Sequence, residues 1–236
     1  MNIKRFLGKC LRGLDVITLN AHATYSQTGE DSIIRYIFYN LKIERPTYLE
    51  IGTNLPLVGN NTYLLYHRGS KGVCIEPDPL MFAEIKKKRP KDTVLNVGIG
   101  VNNDPGADFY LFPGKVNGWS TFSKEEAGMR ETESGIKPKL ITVPLKNIND
   151  VIATYFDPWP NFISLDVEGL DLDILKSLDF ERFQPEVICV ETISFSITNT
   201  EVKLTDIIDF MHSRGYYTYA DTHVNTIFCK NDLFKK

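Results

Sequence analysis

Several features of other protein classes are missing from this chain of 236 residues. It has no run of roughly 20 apolar residues, the length that a membrane-spanning helix needs. Its 27 Lys and Arg residues against 30 Asp and Glu give a net charge of −3, so it lacks the basic excess of a nucleic-acid-binding domain. The only cysteines are Cys10, Cys74, Cys189 and Cys229, without C-x-x-C spacing. Scattered thiols, most of them within apolar runs, favour a reducing, cytoplasmic compartment.

Two glycine-rich phosphate-binding motifs are also missing. The G-x-G-x-x-G fingerprint of dinucleotide-binding folds is absent, because the next glycine after Gly52 is Gly59. A pyrophosphate would need that glycine-rich turn at a helix N-terminus. There is no G-x-x-x-x-G-K-[ST] loop either, which argues against nucleotide hydrolysis.

The N-terminal segment, residues 1–24, lacks the uninterrupted apolar stretch that a signal peptide carries after its basic part. Its apolar residues are interrupted by Lys4, Arg5, Lys9 and Arg12. The pattern predicts a basic amphipathic helix, which either packs on the rest of the protein or makes peripheral contact with a membrane surface.

Short apolar runs alternate with helix-like segments along the rest of the chain. Several runs are almost continuously apolar, as expected for parallel strands covered on both faces. The alternation predicts a doubly wound, mostly parallel α/β sheet. The last two strands are joined by the short link 221–225, which predicts an antiparallel hairpin at the edge of the sheet. Predicted strands are 47–51, 72–75, 93–97, 107–112, 140–143, 162–167, 186–191, 216–220 and 226–230, and predicted helices are 29–41, 60–68, 79–88, 148–155, 170–178 and 203–213.

Residues 113–138 interrupt this alternation. The segment is polar and rich in glycine, and we predict a loop or a mobile lid. With Trp119, Ser120 and Thr121 it is a candidate lid over an acceptor, although a surface loop without a function is an equal alternative. Residues 25–236 would then form a single domain with one insertion.

Polar residues follow the predicted strands at their carboxyl ends, where open parallel sheets bind ligands. Gly52, after the first strand, allows a tight turn and the close approach of a ligand. Glu76 ends the second strand, 26 residues after Glu50, and can accept hydrogen bonds from both hydroxyls of a ribose. Val97 and the small residues around it would form one wall for an adenine ring. Their order and spacing favour an adenosine-type ligand without a pyrophosphate.

Two further strands end in carboxylates. Asp166 closes an apolar strand in Asp166-Val-Glu-Gly169, where burial is costly unless the group is paired or functional. Because side chains alternate along a strand, Asp166 and Glu168 would point the same way. They could share a divalent metal, but two carboxylates do not make a metal site, and we predict none. Glu191 is a similar carboxylate at the next strand end.

These motifs resemble the FkbM family of methyltransferases, which have the Rossmann-like class I methyltransferase fold. The resemblance runs from Tyr25 to nearly the C-terminus, and its most specific part is Ser164-Leu-Asp-Val-Glu-Gly169. The other matching motifs are Tyr25-Ser-Gln-Thr-Gly-Glu-Asp31, Leu49-Glu-Ile-Gly-Thr-Asn54, Ile75-Glu-Pro77, Gly118-Trp-Ser-Thr121 and Val190-Glu191.

The resemblance implies S-adenosyl-L-methionine as the cofactor. Glu50, Gly52 and Asn54 would line its methionine end, and Glu76 would hold its ribose. Asp166 would lie near the sulfonium and the acceptor. The family often has Asp in place of Glu50, which keeps a carboxylate for the amino group of the cofactor.

The resemblance further implies O-methylation of a hydroxyl on a sugar, a glycan or a small metabolite. Such a reaction needs alignment of the acceptor with the methyl group and removal of the hydroxyl proton. Candidate bases are Asp166, Glu168, Glu191 and His223, the last in the link between the two final strands. Two alternatives stay open: a catalytically silent cofactor-binding or scaffolding domain, and a Rossmann-type oxidoreductase.

Overall fold

The computed structural model describes residues 24–167, 169–194 and 201–234. The predicted basic helix of residues 1–24 therefore lies, except for Thr24, outside the described residues. The strands are β1 (Tyr48–Ile51), β2 (Gly72–Ile75), β3 (Thr93–Leu95), β4 (Gly98–Gly100), β5 (Ala107–Leu111), β6 (Lys139–Val143), β7 (Leu145–Asn147), β8 (Phe162–Leu165), β9 (Val187–Glu191), β10 (Tyr216–Asp221) and β11 (Asn225–Lys230). The α-helices are α1 (Glu30–Asn40), α2 (Tyr63–His67), α3 (Pro79–Lys88), α4 (Lys124–Ser134), α5 (Ile148–Tyr155), α6 (Asp171–Ser177) and α7 (Thr205–Ser213).

The main sheet has seven strands in the order β3-β2-β1-β8-β9-β11-β10. Strands β1, β2, β3, β8 and β9 are parallel, whereas β11 pairs antiparallel with both β9 and β10. The predicted doubly wound sheet with an antiparallel C-terminal hairpin is confirmed. The strand order reverses between β1 and β8, which places the carboxyl ends of these strands at the switch point where such sheets bind ligands.

Helices cover both faces of this sheet, which explains why its central strands are apolar without alternation. Leu49 and Ile51 of β1 belong to a core that includes residues of α5, α6 and α7. Tyr48, on the opposite face of the same strand, belongs to a core that includes residues of α1, α2 and α3. Cys74 and Cys189 are buried free thiols in this second core.

The third predicted strand is shorter than expected. It ends at Leu95, and β4 instead pairs in parallel with β7 in a separate two-stranded sheet. Strands β5 and β6 form a further antiparallel pair, so that residues 112–138 leave and return at neighbouring strand ends.

The expected loop over residues 113–138 is wrong for most of its length. The segment forms a 3-10 helix, Gly114–Trp119, followed by α4. Ser123 caps α4 by accepting a hydrogen bond from the amide of Glu126, and Gly135 ends it in the left-handed conformation. Among the residues of α4, Ala127 and Arg130 are the buried ones. Hydrophobic periodicity therefore does not reveal this helix, whereas the Ser123 and Glu126 spacing of a capping box does.

No helix in the described part of the chain is long and apolar enough to cross a membrane.

Candidate functional site

A cavity opens at the carboxyl ends of the central strands. Its lining includes Gly52 and Asn54 after β1, Glu76 after β2, Asp166 after β8 and Glu191 at the end of β9. Parallel neighbours bring these residues together, because β1 pairs with β2 on one side and with β8 on the other. The structure thus gathers most of the residues predicted from the strand ends in one place.

Gly52 lies where the chain turns closely over the neighbouring strand. Its φ of 81° is in the left-handed region, and its amide donates to the carbonyl oxygen of Ile75 at 3.1 Å. A Cβ atom at this position would lie 1.8 Å from the carbonyl oxygen of Asp166. The position therefore requires glycine for both its conformation and its packing.

Glu76 is held rigidly in the wall of the cavity. Its side chain is 5% exposed, and its Oε2 and Oε1 accept hydrogen bonds from the amides of Asn54 at 2.6 Å and Asp78 at 2.8 Å. Burial raises the pKa of Glu76 to about 7, and these two hydrogen bonds only partly oppose that rise. The result is an oriented carboxyl group whose charge changes near neutral pH.

Glu50 and Val97, also predicted to bind the cofactor, do not line this cavity. Glu50 is buried on the face of β1 opposite to Ile51, and its carboxylate accepts from Arg89 at 3.0 Å. Val97 is partly buried and packs against the core that contains Leu49 and Ile51. Their roles toward the cofactor stay predictions.

Asp166 and Glu191 form a pair of carboxyl groups joined by a hydrogen bond. The pKa of Asp166 is raised to about 6, mainly by burial and also by the charge of Glu50, while the hydrogen bond with Glu191 and the charge of Arg130 oppose the rise. Two carboxyl groups in one hydrogen bond share a proton. Asp171 lies close behind them and accepts from the amide of Val167 at 3.3 Å.

Asp171 is buried, and its environment shifts its acidity as well. Burial raises its pKa to about 7, and the charge of Asp166 contributes to the same rise. A favourable interaction with the dipole of α6 accounts for an acidic residue at this position, but it does not predict that the residue is buried.

Residues 112–138 supply the remaining wall of the cavity. Gly118, Ser120 and Phe122 line it, and the ring of Phe122 packs on Phe109 at a centroid distance of 4.6 Å. The ring of Phe122 also lies so close to Gly98 that a Cβ atom there would be 2.4 Å from it. The segment is therefore packed onto the site through aromatic contacts.

Glu126 of α4 lies beside the turn that follows β8, and it forms an ion pair with Arg130 one turn later in the same helix. Arg130 is 1% exposed and donates to Glu126 at 2.9 Å and to the carbonyl oxygen of Trp119 at 2.5 Å. The carboxylate of Glu126 lies against Gly169, where an added Cβ atom would be 2.1 Å from it. The charge of Arg130 lowers the pKa of Asp166, so the segment also contributes to the electrostatics of the site.

Gln27 lines the cavity as well, although no role was predicted for it. It belongs to a loop that Asp31 closes by accepting hydrogen bonds from the amide of Tyr25 at 2.7 Å and the hydroxyl of Thr24 at 2.6 Å. In the sequence, only its place in the Tyr25-to-Asp31 motif indicates that Gln27 belongs to the site. Its position before β1 does not indicate where it lies in the fold.

Glu30 of the same motif ties this loop to the C-terminal hairpin. Its Oε1 accepts from the hydroxyl of Thr222 at 2.7 Å and from the side-chain amide of Asn225 at 3.0 Å. Burial would raise the pKa of Glu30, but hydrogen bonds from Thr28 and Thr222 outweigh burial and lower it to about 2. Glu30 is therefore a structural anion.

His223, a predicted catalytic residue, does not line the cavity. His223 lies in the exposed turn between β10 and β11, with a φ of 75°, and its amide donates to Asp221 at 2.8 Å. Glu168 lies outside the described residues. Their roles stay predictions. Within the described ranges, no three His, Cys, Asp or Glu side chains are grouped to hold a metal ion.

A doubly wound sheet of this strand order, with a glycine turn after β1 and a carboxyl group after β2, defines the class I methyltransferase architecture. A family model, that of the methyltransferase FkbM domain, matches residues 50–217. The chain belongs to this family, and S-adenosyl-L-methionine is its cofactor. The assignment leaves the oxidoreductase alternative without support.

Two methyltransferases are among the solved structures with a similar chain course. An O-methyltransferase from Bacillus cereus in complex with SAH is 14% identical, with a TM-score of 0.41 over 95% of this chain and 90% of that one. The magnesium protoporphyrin IX methyltransferase from Synechocystis PCC 6803 with bound SAH is 9% identical, with a TM-score of 0.46 over 93% of each chain. No curated protein matches the sequence significantly.

Proposed function

We propose that this protein transfers the methyl group of S-adenosylmethionine to a hydroxyl oxygen of a sugar, a glycan or a small metabolite. The observation that carries the proposal is the Asp166 and Glu191 carboxyl pair, which shares one cavity with Gly52, Asn54 and Glu76. A cofactor site and a candidate base are then within reach of each other.

In this proposal the cofactor lies along the carboxyl ends of β1 and β2. Glu76 accepts hydrogen bonds from the ribose hydroxyls. Gly52 and Asn54 contact the methionine end, where only a residue without a side chain lets the ligand approach the backbone. The apolar lining beside Glu76, which includes Pro77, Met81 and Ile99, suits the flat adenine ring.

In this proposal Asp166 removes the proton from the acceptor hydroxyl. A lone pair of the acceptor oxygen attacks the methyl carbon, the carbon–sulfur bond breaks, and the sulfonium leaves as a neutral thioether. The proton of the hydroxyl passes to Asp166. Burial raises the pKa of Asp166 toward neutral pH, and a base whose pKa lies near the working pH is the most effective in general base catalysis.

The segment that carries Ser120 and Phe122 would then cover the acceptor. It meets the cofactor side at Gly118, where an added Cβ atom would lie 3.1 Å from the side-chain nitrogen of Asn54. This contact favours the interpretation as an acceptor lid rather than as a surface loop without a function. Alignment of the two reactants under such a cover supplies up to roughly 7–11 kcal/mol of barrier reduction in favourable cases.

Two measurements test the proposal in sequence. Calorimetry with S-adenosylhomocysteine, NAD and NADP should give binding of the first compound alone. Incubation with labelled S-adenosylmethionine and extracts of glycans or metabolites should then transfer label to an acceptor, and Asp166→Asn should abolish transfer while it keeps binding of S-adenosylhomocysteine. Binding without label transfer under any condition would instead favour a catalytically silent domain.

A further inference from the structure

A second cavity lies near the amino-terminal ends of β1 and β2, opposite to the ends that line the candidate methyl-transfer site. It is enclosed by the C-terminal half of α1, the link of residues 41–46 before β1, and the residues between α2 and β2. These links enter the amino ends of β1 and β2, whereas the candidate methyl-transfer site lies at their carboxyl ends. The two cavities share no lining residue.

The charged residues that line this second cavity are mainly cationic. Arg35, Lys42 and Arg68 contribute positive charge, against the single carboxylate of Glu44. Arg35 and Arg68 are close enough to affect each other, since burial and then the charge of Arg68 lower the pKa of Arg35, while the charge of Asp31 opposes this shift. Across the described part of the chain, no carboxylate forms an ion pair with the guanidinium of Arg68 or the ammonium of Lys42.

Ser70 adds a buried hydroxyl that lacks a partner. The residue is 2% exposed and lines the cavity, and its Oγ has no hydrogen-bond partner among the described residues. Buried polar groups are nearly always hydrogen-bonded in native proteins. A hydroxyl without a partner, in a cavity that two arginines also line, is therefore a candidate donor to a bound oxyanion.

Apart from Asn40, the remaining lining is apolar or aromatic. Phe38, Ile43 and Leu65 form its inner part, and the 78% exposed ring of Tyr39 lies at its rim. A free inorganic anion would leave this surface uncovered. A ligand with both an oxyanion and a hydrocarbon or ring body would cover both kinds of lining.

A structural role for the cations is the competing explanation, because α1 and α2 both end beside the cavity and cations stabilise helix C-termini. Arg68 is the C-cap of α2, which fits that role. Arg35 does not fit it, because it lies in the middle of α1. Stabilisation of helix C-termini by the cations does not explain the unpaired hydroxyl of Ser70 either.

We propose that this second cavity binds a small amphipathic oxyanion, either a phosphate monoester or a carboxylate. Its oxygens contact Arg35, Arg68 and the Ser70 hydroxyl, and its apolar body packs on Phe38, Ile43 and Leu65. Guanidinium groups suit both headgroups, since their fork of donors matches two oxygens at once. The site is independent of the methyl-transfer proposal, because it shares no residue with that cavity.

The test uses the full chain and four probes: hexyl phosphate, hexanoate, hexanol and inorganic phosphate. Calorimetry should show saturable binding of hexyl phosphate, of hexanoate or of both, at least tenfold tighter than binding of hexanol and of inorganic phosphate. The tighter of the two amphipathic anions identifies the headgroup.

Variants at the site give the decisive comparison. Arg68→Gln should weaken binding of the preferred anion at least tenfold, and Ser70→Ala should also weaken it. The charge-matched control, Lys91→Gln at an exposed position outside the cavity, should leave binding unchanged. Arg68 is exposed, and retained binding of S-adenosylhomocysteine or an unchanged unfolding midpoint shows that the variant is folded. Hexanol that binds as tightly as both anions, or a folded Arg68→Gln variant with unchanged affinity, overturns the proposal.

Discussion

A Cβ atom on Gly52 would lie 1.8 Å from the backbone carbonyl oxygen of Asp166, far inside contact distance. The two residues are distant in the chain but follow neighbouring parallel strands, whose ends pair at Ile51 and Leu165. The turn that opens the cofactor side of the cavity and the candidate base are therefore packed directly on each other.

Gly52→Ala should consequently cost more stability than its conformation alone explains. Gly215 is a matched control, because its φ of 84° is equally left-handed and an added Cβ atom there meets nothing within 4 Å. Gly215→Ala should lose about 1–2 kcal/mol from the left-handed conformation. Gly52→Ala should lose roughly 1–3 kcal/mol more from the steric overlap. Urea unfolding of both variants checks this, and equal losses would contradict the packing described for Gly52.

Glu76→Gln should weaken binding of S-adenosylhomocysteine about 10–100-fold, because a hydrogen bond to a charged group contributes roughly 1.5–3 kcal/mol. The matched control is Glu84→Gln in α3, the helix that follows Glu76. The carboxylate of Glu84 is exposed and lies 4.0 Å from the ammonium of Lys87. Calorimetry on the three proteins makes the comparison. If both variants bind like the wild type, the ribose is not held by Glu76.

The affinity for S-adenosylhomocysteine should also depend on pH. The pKa of Glu76 in the free protein is about 7, and the ribose hydroxyls donate to its ionised form. Ligand binding therefore releases a proton, and affinity falls as the pH falls through 7. Between pH 8 and pH 6 we expect a loss of about tenfold, which follows from the ionised fraction. Glu76→Gln should remove this dependence in calorimetry, and a pH profile that is the same in the variant would assign it to another group.

Arg89 should be among the most sensitive positions for stability. It is fully buried and pairs with the buried carboxylates of Glu50 at 3.0 Å and Asp92 at 2.8 Å. Arg89→Met leaves both buried carboxylates without their opposite charge, which should cost about 3–5 kcal/mol. Lys87→Met removes a surface pair with Glu84 and should cost at most about 1 kcal/mol. Comparable unfolding midpoints for these two variants would show that the buried cluster does not stabilise the fold.

Local signals were sufficient for several elements of the fold. Helix α3 begins where Asp78 caps it and Pro79 occupies its first turn, and α5 begins at the Asn147 cap. Both helices match their predicted bounds. Helix α4 was missed because its buried side chains are Ala127 and Arg130, which do not produce an apolar stripe. An ion pair with Glu126 makes burial of Arg130 tolerable, and that compensation is not visible in a hydrophobicity pattern.

The order of strand ends in the sequence was enough to place Gly52, Glu76 and Asp166 at one edge of a doubly wound sheet, because parallel strands all end at the same edge. The same motifs identified the family and its cofactor. Only the tertiary structure shows the hydrogen bond between Asp166 and Glu191, the position of Gln27 in the cavity lining, and the contact of Glu50 with Arg89. The hydrophobic pattern of a strand is local and can be read from a few neighbouring residues. The partner of a side chain instead depends on elements that are distant in the sequence and meet only when the whole sheet has formed.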